Sequence, residues 1–419
     1  MGAGDPQREH FDRVAGVSAS GVHFAAPQRA LPACYMRGGT SKGLFFEPQD
    51  LPDELALRDA VLLRAIGSPD PYAKQIDGMG AATSSTSKVV LVSRSARADC
   101  DVDYLFGAVS IKEPLIDWSG NCGNLSAAVG PFALMRGLVD NVPQDGMASV
   151  RIWQANISKR ITAWVPMENG HVVEDGDFAV DGVAFGGAEI KLEFHDPAGG
   201  AGHPVLPTGL PCQMLQVPGI GAVEVSCVDA GNPTVLVRAD RLGLAGIELP
   251  AELNQRPELL AACEAIRAHA AVLMGLATNA EQATAQRPAT PKIALLATSA
   301  RHVCSDGRTL EAANVDLVVR MLSMGAVHHA VPGTGVIALA VAAALPGTLA
   351  HRLASAGVSA DDAQKIRLGH PSGRATASAR VRQEKGDWIA DTATLSRSAR
   401  CLMRGEVLVP ERLWHGTAR

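Results

Sequence analysis

Cys122 lies in the segment 120–124, GNCGN, directly before an alanine-rich stretch that predicts a helix. The N–H groups and the partial positive charge at a helix N-terminus stabilise a thiolate, and glycine lets a ligand approach the backbone. Polar residues and glycine around a cysteine are also a poor composition for a core. We therefore interpret Cys122 as the candidate reactive thiol, with a buried structural cysteine as the alternative.

Lys88 precedes the apolar run VVLV and follows a Ser/Thr-rich stretch at 83–87. Apolar neighbours remove water from a lysine and favour its neutral amine, which is a base. The hydroxyls of Ser85 and Ser87 are candidate ligands for a substrate carboxylate. The alternative is an edge-strand lysine that points to water, and Lys292, in a similar run, has the same two interpretations.

A glycine-rich loop, MRGGTSKG at 36–43, carries Arg37 and Ser41. Its backbone amides and cationic side chains suit an anionic ligand. The spacing of a nucleotide-binding phosphate loop is absent, and no strand, loop and long helix follow in order. The loop is therefore a candidate site for a small anion, and nucleotide binding is not expected.

Ser323, His328 and His329 precede the turn PGT at 332–334. A histidine pair before such a turn can orient a carboxylate, and two surface histidines are the alternative. The motif DVD at 101–103 lacks the glycine and terminal glutamate of a calcium loop, and the eight cysteines lack the spacing of a metal site. We expect no metal.

Short β-branched runs broken by glycine and proline must position these residues. They predict strands at 87–93, 148–157 and 170–185. Apolar periodicity predicts helices at 53–66, 121–137, 256–275 and 334–345. The fold class expected from this sum is a β-rich α+β protein and not a relay of alternating strands and helices.

The two halves of the chain carry three similar pieces in the same order. These pieces lie at 38–40, 87–92 and 120–124 in the first half and at 231–234, 291–296 and 333–335 in the second half. Lys88 precedes Cys122 by 34 residues, and Lys292 precedes Thr334 by 42. The alternative is a chance match, because glycine-rich turns before helices are common.

If the repeat is real, two helix N-termini face each other across a cleft between the halves. The backbone around Asn121, Gly123 and Asn124 would then lie opposite that around Gly333 and Thr334. Helix N-termini bind anions through free N–H groups and partial positive charge, so this pair can hold a di- or tricarboxylate without a metal.

Composition limits the partners of the chain. Its 419 residues are 47% apolar and 19% charged, which predicts a compact fold, and the length predicts two domains. The net charge of −5 gives no basic surface for nucleic acid or an anionic membrane. The first thirty residues lack the apolar segment of a signal peptide, and the longest apolar stretch is about half a membrane span, so we expect a cytoplasmic protein.

The expected domain organisation follows the repeat. A mobile extension is expected at 1–30, a first domain at 31–205 and a second domain at 206–419. An alternative within this organisation is that the C-terminal strands return to the first domain.

At these motifs the chain resembles the 2-methylaconitate cis-trans isomerase (PrpF) family, a branch of the diaminopimelate epimerase-like fold. The resemblance covers about residues 30–410 and is densest at 35–43, 67–72, 117–126, 151–157 and 369–373. It implies two pseudo-symmetric β-barrel-like domains, each wrapped around a central helix, with the active site between them and no cofactor. Lys88 and Cys122 match the family's proton-transfer residues, whereas Thr334 occupies the place of the second cysteine in two-thiol epimerases.

The expected function is a cofactor-independent isomerisation of 2-methylaconitate, and of aconitate, in the methylcitrate route of propionate degradation. Lys88 would remove a proton next to the double bond, and Cys122 would be the second proton-transfer group or would hold the substrate. Arg37 or Lys42 is the candidate cation that offsets the substrate's negative charge. The resemblance implies a small tricarboxylate as the partner, an aconitase-type hydratase as the next enzyme, and a homodimer as an option.

Two other functions stay open at this point. One is a 4-oxalomesaconate tautomerase or an allylic isomerase of a related unsaturated polycarboxylate, because these branches share the Arg37 loop and the turn around Cys122. The other is a carboxylate-binding protein without catalysis, which an unreactive Cys122 and a solvent-exposed Lys88 would favour.

Overall fold

The computed structural model describes residues 27–199, 204–354 and 364–415. Seven α-helices lie within these residues: α1 (Leu55–Ile66), α2 (Ser126–Met135), α3 (Pro250–Leu253), α4 (Pro257–Leu273), α5 (Ala280–Gln286), α6 (Gly333–Ala344) and α7 (Leu349–Leu353). The strands of the same residues are β1 (Gln28–Gly38), β2 (Ser41–Phe46), β3 (Lys88–Arg94), β4 (Val102–Val109), β5 (Ile116–Asp117), β6 (Gly146–Gln154), β7 (Lys159–Glu168), β8 (His171–Val172), β9 (Ile190–His195), β10 (Gln213–Val217), β11 (Gly221–Ala230), β12 (Asn232–Arg238), β13 (Lys292–Thr298), β14 (His302–Val303), β15 (Thr309–Leu310), β16 (Leu317–Ser323), β17 (Ala326–Val327), β18 (Gln364–His370), β19 (Gly373–Glu384), β20 (Asp387–Arg397) and β21 (Ala399–Pro410).

The first half of the chain forms a curved sheet around the β1–β2 hairpin. β21 pairs antiparallel with β1, and β3 pairs parallel with β2. β4 then pairs antiparallel with β3 and parallel with β6, after which β6, β7 and β9 are antiparallel neighbours. The last strand of the chain is therefore part of the first half.

The second half repeats this pairing strand for strand. β10 pairs antiparallel with β11 in the β11–β12 hairpin, and β13 pairs parallel with β12. β16 pairs antiparallel with β13 and parallel with β18, after which β18, β19 and β20 are antiparallel neighbours. The two sheets join where β9 and β20 pair antiparallel. The internal repeat expected from the sequence is thus present in the fold.

One helix lies inside each half. α2 contacts β1, β21, β7 and β9 of the first sheet. α6 contacts β11, β12, β18, β19 and β20 of the second sheet. All twelve residues of α6 are buried, as are residues 126–133 of α2. A helix that is apolar on all sides is stable only when it is covered on all sides, so each sheet wraps its helix. This confirms the expected class, an α+β fold of two pseudo-symmetric halves.

Two expected elements differ in the structure. Of the strand expected at 170–185, only β8 forms, and Phe178 makes a single bridge to Gly187. The segment has apolar alternation, but Gly182 at φ +95° and several acidic residues favour a turn. The helix expected from 121 begins at Ser126, because residues 123–125 form a separate turn before it.

Part of the expected N-terminal extension, residues 1–26, lies outside the described residues, and β1 starts at Gln28. The expected domain boundary at 205/206 lies between β9 and β10. Among the described residues, no helix has both the length and the apolar character required to span a bilayer.

Candidate active site

The turns before α2 and α6 are in contact at the centre of the molecule. A Cβ built on Gly123 would lie 2.6 Å from the backbone N of Thr334, and one built on Gly333 would lie 2.5 Å from the carbonyl carbon of Gly123. Only glycine allows backbones to approach so closely. The N-terminal ends of the two central helices therefore face each other, one from each half of the chain.

Cys122 lies one turn before the start of α2. Its carbonyl accepts a hydrogen bond from the Ser126 N–H at 2.9 Å, and its Sγ accepts one from the Leu125 N–H at 3.5 Å. The residue is 6% exposed. The thiol thus lies where the helix N–H groups point, although the helix itself starts later than the sequence predicts.

The side chain of Asn232 ties the two turns together. Its Oδ1 accepts the Asn121 N–H at 2.7 Å, and its Nδ2 donates to the Asn121 carbonyl at 2.8 Å and to Thr334 Oγ1 at 3.1 Å. Asn232 was not a candidate in the sequence, although a polar residue at the start of the buried strand β12 was a usable signal.

Asn121 itself presents a free amide at this junction. The residue is 3% exposed, and neither its Oδ1 nor its Nδ2 has a hydrogen-bond partner among the described residues. A buried amide without a partner costs about 1–3 kcal/mol, so native proteins rarely retain one without a reason. Donor and acceptor atoms of this kind at paired helix N-termini suit a polar anionic ligand.

Lys88 is buried at the start of β3, with 8% of its surface exposed. Its Nζ lies over the ring of Phe106, 4.8 Å from the ring centroid. The alternative of an edge-strand lysine that points to water is therefore wrong for this residue.

Lys292 has the corresponding position at the start of β13 and is 6% exposed. Its Nζ donates to the Ala289 carbonyl and to Ser323 Oγ, both at 3.2 Å. Burial, and next the positive charge of Lys88, lower the pKa of Lys292 to about 8, while Cys122 acts in the opposite direction. Lys292, Lys88 and Cys122 are thus within electrostatic reach of one another.

The histidine pair belongs to the same region. His328 and His329 stack with their ring centroids 4.6 Å apart, and the Nδ1 of His328 accepts the Ala330 N–H at 3.0 Å. Burial first, then the charges of His329 and the lysines, hold the pKa of His328 well below its usual value. His328 is therefore a neutral, buried ring, and the alternative of surface histidines is wrong for it.

A cleft of about 1050 Å³ lies beside the histidine pair, and His328 and His329 both line it. It is lined by the hydroxyl stretch of the first half and by the segment before α6 of the second half. Ser85 and His329 meet at its wall, with Oγ and Nδ1 3.4 Å apart. A small acid entering the cleft would meet Ser85 as predicted, and also His329, which was a weaker candidate in the sequence than His328.

Other predicted ligands have structural partners. The Arg37 guanidinium donates to the carbonyls of Gly39 and Ser398 at 3.2 and 2.9 Å, and Ser87 Oγ donates to Gln75 Oε1 at 2.7 Å. Ser41 is buried at the start of β2 and 3% exposed. These residues shape the loops around the site, and no described contact joins them to the lysines or to Cys122.

Asn124 is hydrogen-bonded to the Arg37 loop and to a second arginine, Arg397. The Nδ2 of Asn124 donates to Thr40 Oγ1 at 2.9 Å, and its Oδ1 accepts from the Nε of Arg397 at 3.1 Å. Burial lowers the pKa of Arg397 to about 10. Arg397 is distant in sequence from every motif, and only the return of the C-terminal strands brings it to the first half.

The chemistry available here is proton transfer on an anion. Two buried amines and a thiol lie beside two helix N-termini and an unpaired amide, and this set can bind carboxylates and move protons. Within the described residues, no three His, Cys, Asp or Glu side chains are grouped as metal ligands would be.

Known proteins share this architecture. A crystal structure of methylitaconate delta-isomerase superposes with a TM-score of 0.72 at 37% identity, covering 94% of this chain and 98% of that one. A hydroxyproline epimerase from Agrobacterium vitis has the same fold with a TM-score of 0.53 at 13% identity, covering 94% and 97%. The fold and the site thus define an isomerase.

The family model described as PrpF protein matches residues 28–410, and the chain belongs to this family. A curated relative, 2-methyl-aconitate isomerase of Cupriavidus necator, is 52% identical over 393 residues, covering 92% of this chain and 98% of the relative.

Proposed function

We propose that this isomerase interconverts the cis and trans forms of 2-methylaconitate, and of aconitate, by proton transfer through Lys88 and Cys122. The observation that carries the proposal is the contact between the two helix N-termini at Gly123 and Gly333. Cys122 directly precedes Gly123, and the charges of Lys88 and Cys122 both act on Lys292. The 52% identity to a 2-methyl-aconitate isomerase supports the choice of substrate.

The substrate carboxylates bind to groups that are already positioned. The backbone N–H groups around Gly123 and Thr334 and the unpaired side-chain amide of Asn121 donate hydrogen bonds to one carboxylate, and Ser85 and His329 bind another at the cleft wall. Positioned N–H donors also stabilise the charge that develops on a carboxylate as the substrate loses a proton. Arg37 contributes indirectly, because its hydrogen bonds hold the 38–41 turn.

The neutral amine of Lys88 removes a proton from the carbon next to the double bond. The electron pair of the C–H bond spreads into a dienolate, and the former double bond becomes a single bond that rotates. Return of the proton to carbon then gives the other geometric isomer. Cys122 is the second group that donates or accepts a proton.

In metabolism, we place the protein in the methylcitrate route of propionate degradation, where the product passes to an aconitase-type hydratase. A homodimer and a cytoplasmic location stay predictions from the sequence.

The test is the ultraviolet absorbance change of 2-methylaconitate and trans-aconitate with the wild type, Lys88→Ala and Cys122→Ser, in the presence of a chelator. We expect chelator-resistant conversion by the wild type, a loss of at least about 1000-fold in Lys88→Ala, and a smaller loss in Cys122→Ser. A folded wild type that converts neither acid would refute this substrate assignment, and oxalomesaconate would be tested next.

A further inference from the structure

Lys88 and Lys292 occupy equivalent places in the two halves. Each is the first residue of a strand that runs parallel to the second strand of a hairpin, β3 beside β2 and β13 beside β12. Both are buried. The repeat thus places one buried lysine at the same strand start in each half.

Neither of these lysines has a carboxylate partner. Among the described residues, the pair of Lys159 with Asp196 is the one ion pair that a lysine makes. The acid whose charge acts on Lys292 is Asp117, and its two carboxylate oxygens accept the N–H groups of Ser119 and Ala289 at 2.8 Å each. Among the described residues, two buried ammonium groups would therefore have the charge of Asp117 to offset them but no ion pair with it.

The remaining charged neighbours of the two lysines do not change this balance. Arg267 is paired with Glu264 at 2.6 Å, and the depressed pKa of His328 keeps its ring neutral. Cys122 also acts on Lys292, in the direction that raises its pKa. Two positive charges that share a desolvated site repel each other, so the second proton binds much more weakly than the first.

A base in an anion site has a particular difficulty, because the substrate's negative charge favours the protonated amine. A neighbouring cation offsets this effect. The two candidates from the sequence are engaged elsewhere: Arg37 binds the carbonyls of Gly39 and Ser398, and the Nζ of Lys42 lies 5.3 Å from the ring centroid of Tyr35. Lys88 and Lys292 act on each other instead, and the charge of Lys88 is the second cause, after burial, that lowers the pKa of Lys292.

We propose that Lys88 and Lys292 form a proton-sharing pair, in which one amine is neutral and accepts the substrate proton while the other stays an ammonium and holds a substrate carboxylate. This inference rests on the proposed isomerisation and adds a second lysine to it. The C–H bond breaks, its proton moves to the neutral Nζ, and its electron pair enters the dienolate. A proton then returns to carbon, either from the ammonium or from Cys122, which the ammonium reprotonates, so the step needs no other reactant.

The first test is the pH profile of kcat/KM for the wild type and Lys292→Met, an unbranched and uncharged replacement. Activity of the wild type should rise with a midpoint near pH 8, the value to which burial and the charge of Lys88 lower the pKa of Lys292. In Lys292→Met the group that titrates there is gone, so this midpoint should be absent from the profile. Lys191→Met, an exposed lysine on β9, is the matched control and should keep the wild-type profile.

A loss of activity by the same factor at every pH would show that Lys292 is only structural and would overturn the proposal. An unchanged profile would overturn it as well.

The second test follows the two amines directly and requires no turnover. In protein labelled with ¹³C at lysine Cε, one of the two buried signals should titrate near pH 8, in contrast to the exposed lysines. In Lys88→Met, the Lys292 signal should titrate at higher pH. Ordinary lysine titration of both signals, unaffected by the other residue, would refute the pair. A shifted titration in a protein that converts no acid would retain the pair and refute the proposed function.

Discussion

Gly123 and Gly333 touch through their backbones, and each belongs to a different half of the molecule. The Cβ of any other residue at either position would lie 2.5–2.6 Å from a backbone atom of the opposite turn. The distance between the two helix N-termini is therefore set by the absence of two side chains. Residues on both turns, including Cys122 and Thr334, are positioned by this contact.

Alanine at either glycine should separate the turns. We expect Gly123→Ala and Gly333→Ala to lower the free energy of unfolding by about 1–3 kcal/mol, because backbone must move to make room. We also expect kcat/KM to fall more than tenfold as the carboxylate site widens. Thermal unfolding and isomerase assays measure both effects. Gly405→Ala on β21, where a Cβ meets nothing within 4 Å, is the control. Wild-type stability and activity in both variants would contradict the tight contact.

Removal of the Asn232 side chain should uncouple the two halves at the site. Asn232→Ala loses three hydrogen bonds and leaves the Asn121 backbone and the Thr334 hydroxyl without their partner. We expect a loss of about 3 kcal/mol in urea unfolding, together with reduced kcat. Asn314→Ala, an exposed asparagine, should have no effect. Equal stability of the two variants would show that the halves are held by other contacts.

Thiol alkylation should select Cys122. Burial raises the pKa of Cys34 to about 11 and the pKa values of Cys227 and Cys263 to about 12, so these thiols stay protonated at pH 8. The Sγ of Cys122 accepts the Leu125 N–H at 3.5 Å, just before the N-terminus of α2. We expect iodoacetamide to label Cys122 first and trans-aconitate to slow the labelling, as measured by peptide mass spectrometry. Earlier labelling of the half-buried Cys212 or Cys401 would contradict this order.

Asp229 should make the protein less stable as the pH rises. Burial raises the pKa of this carboxyl from 3.8 to about 7. The folded state therefore holds a proton that the unfolded state releases above pH 4. Its stabilising contribution is fully present below about pH 4 and is lost as the pH rises to about 7.

The measurement is urea unfolding of the wild type and Asp229→Asn between pH 4 and 8. We expect similar stabilities at pH 4 and an advantage of a few kcal/mol for Asp229→Asn at pH 8. Asp387→Asn, an exposed carboxyl on β20, is the control. A constant difference between the two proteins across this range would show that Asp229 does not titrate on unfolding.

The sequence predicts those features of the fold that depend on local patterns. The apolar run that follows the turn at 332–334 is the buried helix α6, and Lys88 and Lys292 stand at the equivalent strand starts that the repeat indicates. A repeat preserves local order, so its pieces are visible without any knowledge of the contacts between them.

Long-range contacts are not visible in the same way. Asn232 lies 111 residues from Asn121, and Arg397 lies 273 residues from Asn124, yet both arrange the turns of the site. Ser87 looked like a ligand because hydroxyls suit carboxylates, but its partner Gln75 lies in a loop whose position depends on the whole first half. The strand expected at 170–185 had the right alternation, although glycines interrupt it.

The pairing of β1 with β21 has a consequence for synthesis on the ribosome. Residues 28–38 are made first, but their antiparallel neighbour is residues 399–410, which are made only after about 360 further residues. Until then one edge of the first sheet is open and able to pair with another nascent chain. Because the first sheet is closed by a strand that follows the whole second half, truncation before residue 399 or slow translation of the preceding segment should cause aggregation rather than a stable fragment.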